Sequence, residues 1–160
     1  MLRDSDDPRW LTPEERAAWL AVAALAVKLP AALDAQLQRD EGLSFFEYMV
    51  LAMLSEQEDR SLQMSELAAA ASASLSRLSH AAKRLEAQGL LRRERLGGPG
   101  RRTRAELTDA GYAKLVAAAP GHSGRVRELV IDALTPDQLG TLREVGEVFM
   151  QRVDPERGCG

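Results

Sequence analysis

The sequence predicts a mainly α-helical chain carrying one small β-hairpin, and two observations support that expectation. Apolar residues recur at helical spacing on both sides of the centre. In the centre, two short helical patterns, separated by Ser72-Ala73-Ser74, run into two β-compatible runs joined by a loop from Gly97 to Arg102. Helix, turn, helix and hairpin in that order make a winged helix-turn-helix, a shape that places one helix in a DNA groove.

Residues 1–11 are polar, with Asp4, Asp6 and Asp7 close together, and are expected to fray. Thr12-Pro13-Glu14-Glu15 then combines an N-cap, a proline at the first helical position and a capping box. The helix it opens should run to about Asp40, with Trp19, Val22, Leu25, Ala26, Leu29, Leu33 and Leu37 on its apolar face. Pro30 predicts a kink or a division in two. Gly42 ends that helix, and Ser44-Phe45-Phe46-Glu47 forms a second capping box. It starts a helix ending at Ser55 or Glu56, with Phe46, Met49, Val50, Met53 and Leu54 as a buried stripe.

After the hairpin, Thr108-Asp109 opens a long helix that should kink or break near Pro120 and resume from Arg125 to Leu134. Thr135-Pro136-Asp137-Gln138 is a third capping box, leading a helix to about Val153 whose stripe is Leu139, Leu142, Val145, Phe149 and Val153. No repeat or linker divides the chain, so residues 1–160 are expected to be one domain. Within it, segments 12–41 and 108–153 flank a winged lobe at 44–107. The flanking helices have apolar faces and no sheet to cover, which predicts a two-fold dimer built from them.

The helix following Ser74 makes the chemical argument. Leu75, Leu78, Ala82 and Leu85 share one face and should pack inward. Ser76, Arg77, Ser79, His80, Lys83 and Arg84 fall on the other faces, and Ser74 is a good N-cap. Hydroxyls and cations without an acid before Glu86 suit phosphates and base edges. Arg77 and His80 are the expected base readers, Lys83 and Arg84 the expected phosphate contacts. From Arg77 to Arg104 nine Arg/Lys face two Glu, a net +7 in a chain whose total is −3. One concentrated basic module in an acidic protein points to a local polyanion footprint. The alternative is a solvated charged helix beside a flexible loop. Arg101 and Arg102 would project from the hairpin tip toward the minor groove. The Gly-rich loop matches neither GxGxxG nor the P-loop pattern, which argues against a nucleotide cradle.

Other chemistries find little here. HExxH, GxSxG and CxxC do not occur, so no enzyme is predicted and no cofactor is implied. His80 and His122 lie in different segments, and Cys159 is the lone thiol, which argues against a metal site. His122, after Pro120-Gly121, reads as a surface or capping residue. The longest apolar run, Ala17 to Val27, is about half a membrane span and lacks a basic signal-peptide region. A cytoplasmic protein without a membrane partner is expected.

Several motifs in this order resemble the MarR (multiple-antibiotic-resistance regulator) family of bacterial transcription factors. They are SELA at Ser65–Ala68, RLEAQGLLRR at Arg84–Arg93 and LTDAG at Leu107–Gly111, and the likeness extends to GLSFFEYMVLAML at Gly42–Leu54. The resemblance implies a homodimer on double-stranded DNA with a pseudo-palindromic site, acting as a repressor. It also implies a short strand at Ser61-Leu62-Gln63 beside the wing. Pro99 departs from the family, standing where an Asp commonly precedes the wing arginine, here Arg101, by two residues. Regulators of this kind often bind phenolic or lipophilic effectors between the dimerisation helices and the DNA-binding lobe. Trp19, Phe45, Phe46, Met49 and Met53, with His122 as a polar contact, are the effector candidates; the alternative for each is an ordinary core role. Peroxide sensing, known in some relatives, is not expected of Cys159, which sits between glycines without a resolving cysteine in the sequence. A winged scaffold that binds only protein remains the alternative function.

Overall fold

A computed structural model describes residues 8–100 and 102–155. Side-chain caps set where its helices begin. Helix α1 (Pro13–Glu41) starts on Thr12, α2 (Phe45–Ser55) on Ser44 and α6 (Pro136–Val153) on Thr135, each with both bonds of a capping box. Helix α3 spans Met64–Ala70. Helix α4 (Leu75–Ala87) starts on Ser74, and α5 (Asp109–Val126) on Thr108, whose hydroxyls accept from Arg77 and Gly111 N–H.

Both internal prolines are absorbed. Helix α1 runs through Pro30 and α5 through Pro120 as single helices, so neither divides at its proline. In each case the proline and the residue four before it, Ala26 or Val116, are exposed, so water can satisfy the freed carbonyl. The irregularity comes later, as a π-helical turn at Arg127–Ile131, so Arg125 and Val126 belong to α5 and do not open a new helix. By length and composition α1 could cross a membrane, a longer apolar element than the run at Ala17–Val27 suggests. Its second half is anchored in this fold: Leu33, Gln36 and Leu37 are buried where α1 meets α5 and α2.

Strands β1 (Ser61–Gln63), β2 (Leu91–Arg95) and β3 (Thr103–Leu107) form an antiparallel sheet in the order β1-β3-β2, pairing Ser61 with Glu106 and Leu91 with Leu107. The short strand therefore lies beside the hairpin. Below the sheet, Leu43, Val50, Leu51, Leu54, Leu67, Leu78, Leu85 and Leu107 close one core. Each such side chain contributes about 1.5–3 kcal/mol relative to exposure. On α2 the fully buried positions are Val50, Leu51 and Leu54, while Phe46, Met49 and Met53 are half-buried. Leu75 departs from its expected inward place and is 53% exposed; Ala81 is buried instead. Three residues before Leu78, Leu75 is rotated about 60° from it. At the first position of α4 that rotation carries it past the edge of the core.

The order of the motifs acquires a packing reason at the base of the hairpin. Gly89, at φ 72°, ends α4 in the left-handed region. Its N–H bonds Glu86 O, and Leu90 N–H bonds Leu85 O, which closes a Schellman motif. That bond takes the Leu90 N–H, while the Leu90 carbonyl accepts from Thr108 N–H across the hairpin base, and β2 starts at Leu91. Thr108 donates its hydroxyl to Gly89 O at 2.7 Å while accepting from Gly111 N–H, which lays the start of α5 on this turn. A Cβ on Gly111 would sit 2.0 Å from Leu90 O and 2.7 Å from Leu107 Cδ1. Gly111→Ala should therefore separate α5 from the hairpin base and cost about 1–3 kcal/mol or more. Urea unfolding should show a lower midpoint with an unchanged slope.

Candidate nucleic-acid interface

Helix α4 presents Ser76, His80 and Lys83 to solvent, opposite the buried Leu78, Ala81, Ala82 and Leu85. Ser74 caps it and is itself exposed. Arg77 and Arg84 lie on the side toward α2, and half-buried Ser79 lies on the side toward the hairpin. Helix, exposed polar face and hairpin are thus assembled as a surface that can follow a groove.

The net charge of this segment overstates its free cations. Arg84 Nε donates to Glu47 Oε1 at 2.6 Å, Arg92 pairs with Glu106, Arg93 pairs with Glu86, and Arg104 reaches Asp59 and Ser61. The Arg93 hydrogen bonds hold the Glu86 carboxyl below the usual carboxylate range. Arg77 makes no ion pair, and its guanidinium carbon lies 4.3 Å from the centre of the Phe46 ring. Among the described residues of the segment, Lys83, Arg95 and Arg102 are the cations without an ion pair or aromatic partner. Arg101 lies outside the described residues. Across the hairpin loop, Leu96 N–H bonds Arg102 O.

Glu47 was legible as a cap but not as an anchor. It is 4% exposed; one oxygen accepts from Ser44 N–H at 2.9 Å and the other from Arg84. In the same corner, Asp34 of α1 accepts from Phe45 N–H at 2.8 Å. The N-terminus of α2 therefore ties α1 to α4. Beside it opens a cleft of about 640 Å³ with Pro30, Phe45, Phe46 and Met49 on its apolar walls and Arg77, His80 and Arg84 on its polar side.

Of the effector candidates, Phe45, Phe46 and Met49 meet in that cleft. Met53 packs on the core. Trp19 is remote, 58% exposed beside Val22, Phe149 and Val153 in an apolar hollow of about 450 Å³. His122 is half-buried, neither a free surface residue nor a cap. Its ring centre lies 4.4 Å from that of Tyr48 and 5.8 Å from that of Phe45, and its Nδ1 is buried without a partner. Burial pushes the His122 pKa down. Among the described residues, no three His, Cys, Asp or Glu side chains cluster to hold a metal. Cys159 lies outside the described residues.

Residues 41–102 match the profile of the MarR family. The structure of Sco3205, a MarR family transcriptional regulator from Streptomyces coelicolor solved in complex with DNA, is similar at 42% identity, covering 96% of each chain with a TM-score of 0.88. AbsC, a MarR family regulator from the same organism, is 35% identical over 92% of this chain and 99% of its own, with a TM-score of 0.85. The M. tuberculosis regulator MOSR, also solved with DNA, is 27% identical over 87% and 98%, with a TM-score of 0.69. No match was found among curated proteins.

Two measurements separate structural from solvent-facing cations. Arg84→Ala leaves the Glu47 carboxylate buried without its partner and should cost about 1–3 kcal/mol in urea unfolding. Lys83→Ala should leave stability unchanged and reduce the salt slope of DNA binding by about 1. His122 supplies a pH signature. Its folded pKa is lowered, so below the unfolded value of 6.5 the unfolded chain binds more protons than the folded one. Stability should fall as pH drops through 6.5 toward the folded pKa, then level off, and His122→Phe should flatten that step in pH-dependent unfolding.

Proposed function

The chain belongs to the MarR family of transcriptional regulators, and on that premise we propose that it is a homodimeric, sequence-specific DNA-binding repressor released by a small organic ligand. The observation that carries the reading is the exposed polar face of α4, with Ser76, His80 and Lys83 outward and the hairpin at its flank. Ser74, Ser76, Arg77, Ser79, His80, Lys83 and Arg84 are assigned to the major groove and adjacent phosphates. Arg101 and Arg102 are assigned to the minor groove or its walls. That two similar regulators were solved with DNA supports the assignment.

The dimer rests on α6. It buries no residue and has only marginal contacts with the rest of the chain, while Leu142, Val145, Val148, Phe149 and Val153 are exposed along it. Most helical stability in proteins comes from packing an apolar face, and this one is uncovered in the single chain. Trp19, Leu20, Leu25 and Val27 of α1 are exposed in the same way. A second copy covers both faces at once and sets two recognition helices about one DNA turn apart, reading a pseudo-palindromic site. Segments 12–41 and 108–153 are then the dimerisation helices around the lobe at 44–107.

Release follows from shared residues. A phenolic or lipophilic ligand in the cleft beside Phe45, Phe46 and Met49 would meet Arg77, His80 and Arg84, which are also assigned to DNA. Ligand and DNA then compete, and linkage makes each weaken the other.

Fluorescence anisotropy on DNA from upstream of the chain's own gene, against scrambled DNA and over a range of salt, is the test. Selective binding with a steep salt slope is expected, with a dimer in sedimentation; equal weak binding to both DNAs and a monomer would favour a protein-binding scaffold. Arg77→Ala should relax specificity by about 1–3 kcal/mol at one base position. Equal weakening on every sequence would make Arg77 a phosphate contact.

A further inference from the structure

We propose that Leu75 is a base-reading residue whose side chain contacts a thymine C5-methyl in the major groove; the inference rests on the DNA-binding reading above. Among the described residues of the lobe at 44–107, Leu75 is the one large apolar side chain that is exposed, at 53%. The other exposed large apolar residues lie on α1, α5 and α6 or just before α1, on the part of the chain assigned to the dimer. Leu75 has no such cover. It occupies the first position of α4, and the first turn of a recognition helix is the part that reaches base edges.

Its surroundings fit one occupant. Leu75 and Ser79 form one wall of a hollow of about 300 Å³, Arg93, Arg102 and Thr103 of the hairpin side form another, and the start of α3 with Gln63 before it closes the third. Arg102, which has no ion pair among the described residues, borders the hollow, whereas Arg93 is held by Glu86; no acid lines it, which favours an anionic partner over an apolar peptide or a lipid. The thymine methyl is the apolar group that DNA displays in its major groove. Leucine in the place of a serine or an arginine would therefore report thymine by burying that methyl. Lone exposed leucines are common on protein surfaces. Here the exposed position is also the leading edge of the helix that meets DNA.

Replacing thymine by uracil removes the methyl and leaves the hydrogen-bonding edge intact. On the selected operator, each thymine is replaced in turn, in both half-sites together, and affinity is measured by anisotropy for the wild type and for Leu75→Ala. One replacement is expected to weaken the wild type about fourfold per half-site, the equivalent of about 0.8 kcal/mol for one buried carbon group. The same replacement should leave Leu75→Ala unchanged, while Leu75→Ile retains the discrimination. Circular dichroism should show the variants equally folded, since the side chain is outside the core. Selective wild-type binding with no uracil effect specific to Leu75 would overturn the proposal and leave the DNA-binding reading standing. Absence of selective binding by the wild type would overturn both.

Discussion

Both oxygens of the Glu47 carboxylate are committed inside the fold, one to the backbone of α2 and one to Arg84 of α4. A buried charge is tolerated only when it is paired and hydrogen-bonded, so this corner has little freedom to open by degrees. Asp34 holds the neighbouring Phe45 N–H, which brings α1 into the same junction. The orientation of the recognition helix relative to the long first helix is thereby set within a few residues. The cleft beside Phe46 and Arg77 opens against this junction, with residues of α1, α2 and α4 in its walls.

A second joint, built from glycines, holds the other side of the lobe. Gly89 turns the chain out of α4, and Gly111 lets the first turn of α5 rest against Leu90. The hairpin is therefore fixed at its base by backbone contact and by the Arg93–Glu86 pair, while Arg102, close to its tip, is exposed. Rigidity is concentrated where the elements meet, and the cations without ion pairs lie beyond it. This division explains why a strongly basic segment can be stable: about half of its charge is internal scaffolding.

Much of this was legible in the residues. Capping boxes at Thr12, Ser44 and Thr135 marked helix starts because a cap is a local arrangement of four residues. The wing was announced by its Gly/Pro loop and the recognition helix by its exposed cations. The prolines left open whether each helix divides, because the cost of an interior proline depends on whether the freed carbonyl meets water, and Pro30 and Pro120 both lie on exposed surface. Leu75 misled because periodicity names a face without saying where along the helix the core ends. Trp19 and Phe45 share a chemistry but not a place, because Trp19 lies near the start of α1 while Phe45 of α2 meets α1 farther along, at Pro30 and Asp34.

The sequence by itself determined the order of elements, their caps, the basic character of the central lobe and the family. These follow from short-range chemistry, from patterns repeated every turn of helix and from motifs kept in order. Tertiary structure decided which arginines are bound to acids and which face outward, because ion pairs such as Arg84–Glu47 and Arg104–Asp59 join residues far apart in the chain. It also decided that His122 of α5 packs against Phe45 and Tyr48 of α2, that Phe45, Phe46 and Met49 share a cleft, and that Leu75 is left outside the core. Each of those outcomes depends on how two or three elements cross, and spacing within one element does not encode the crossing.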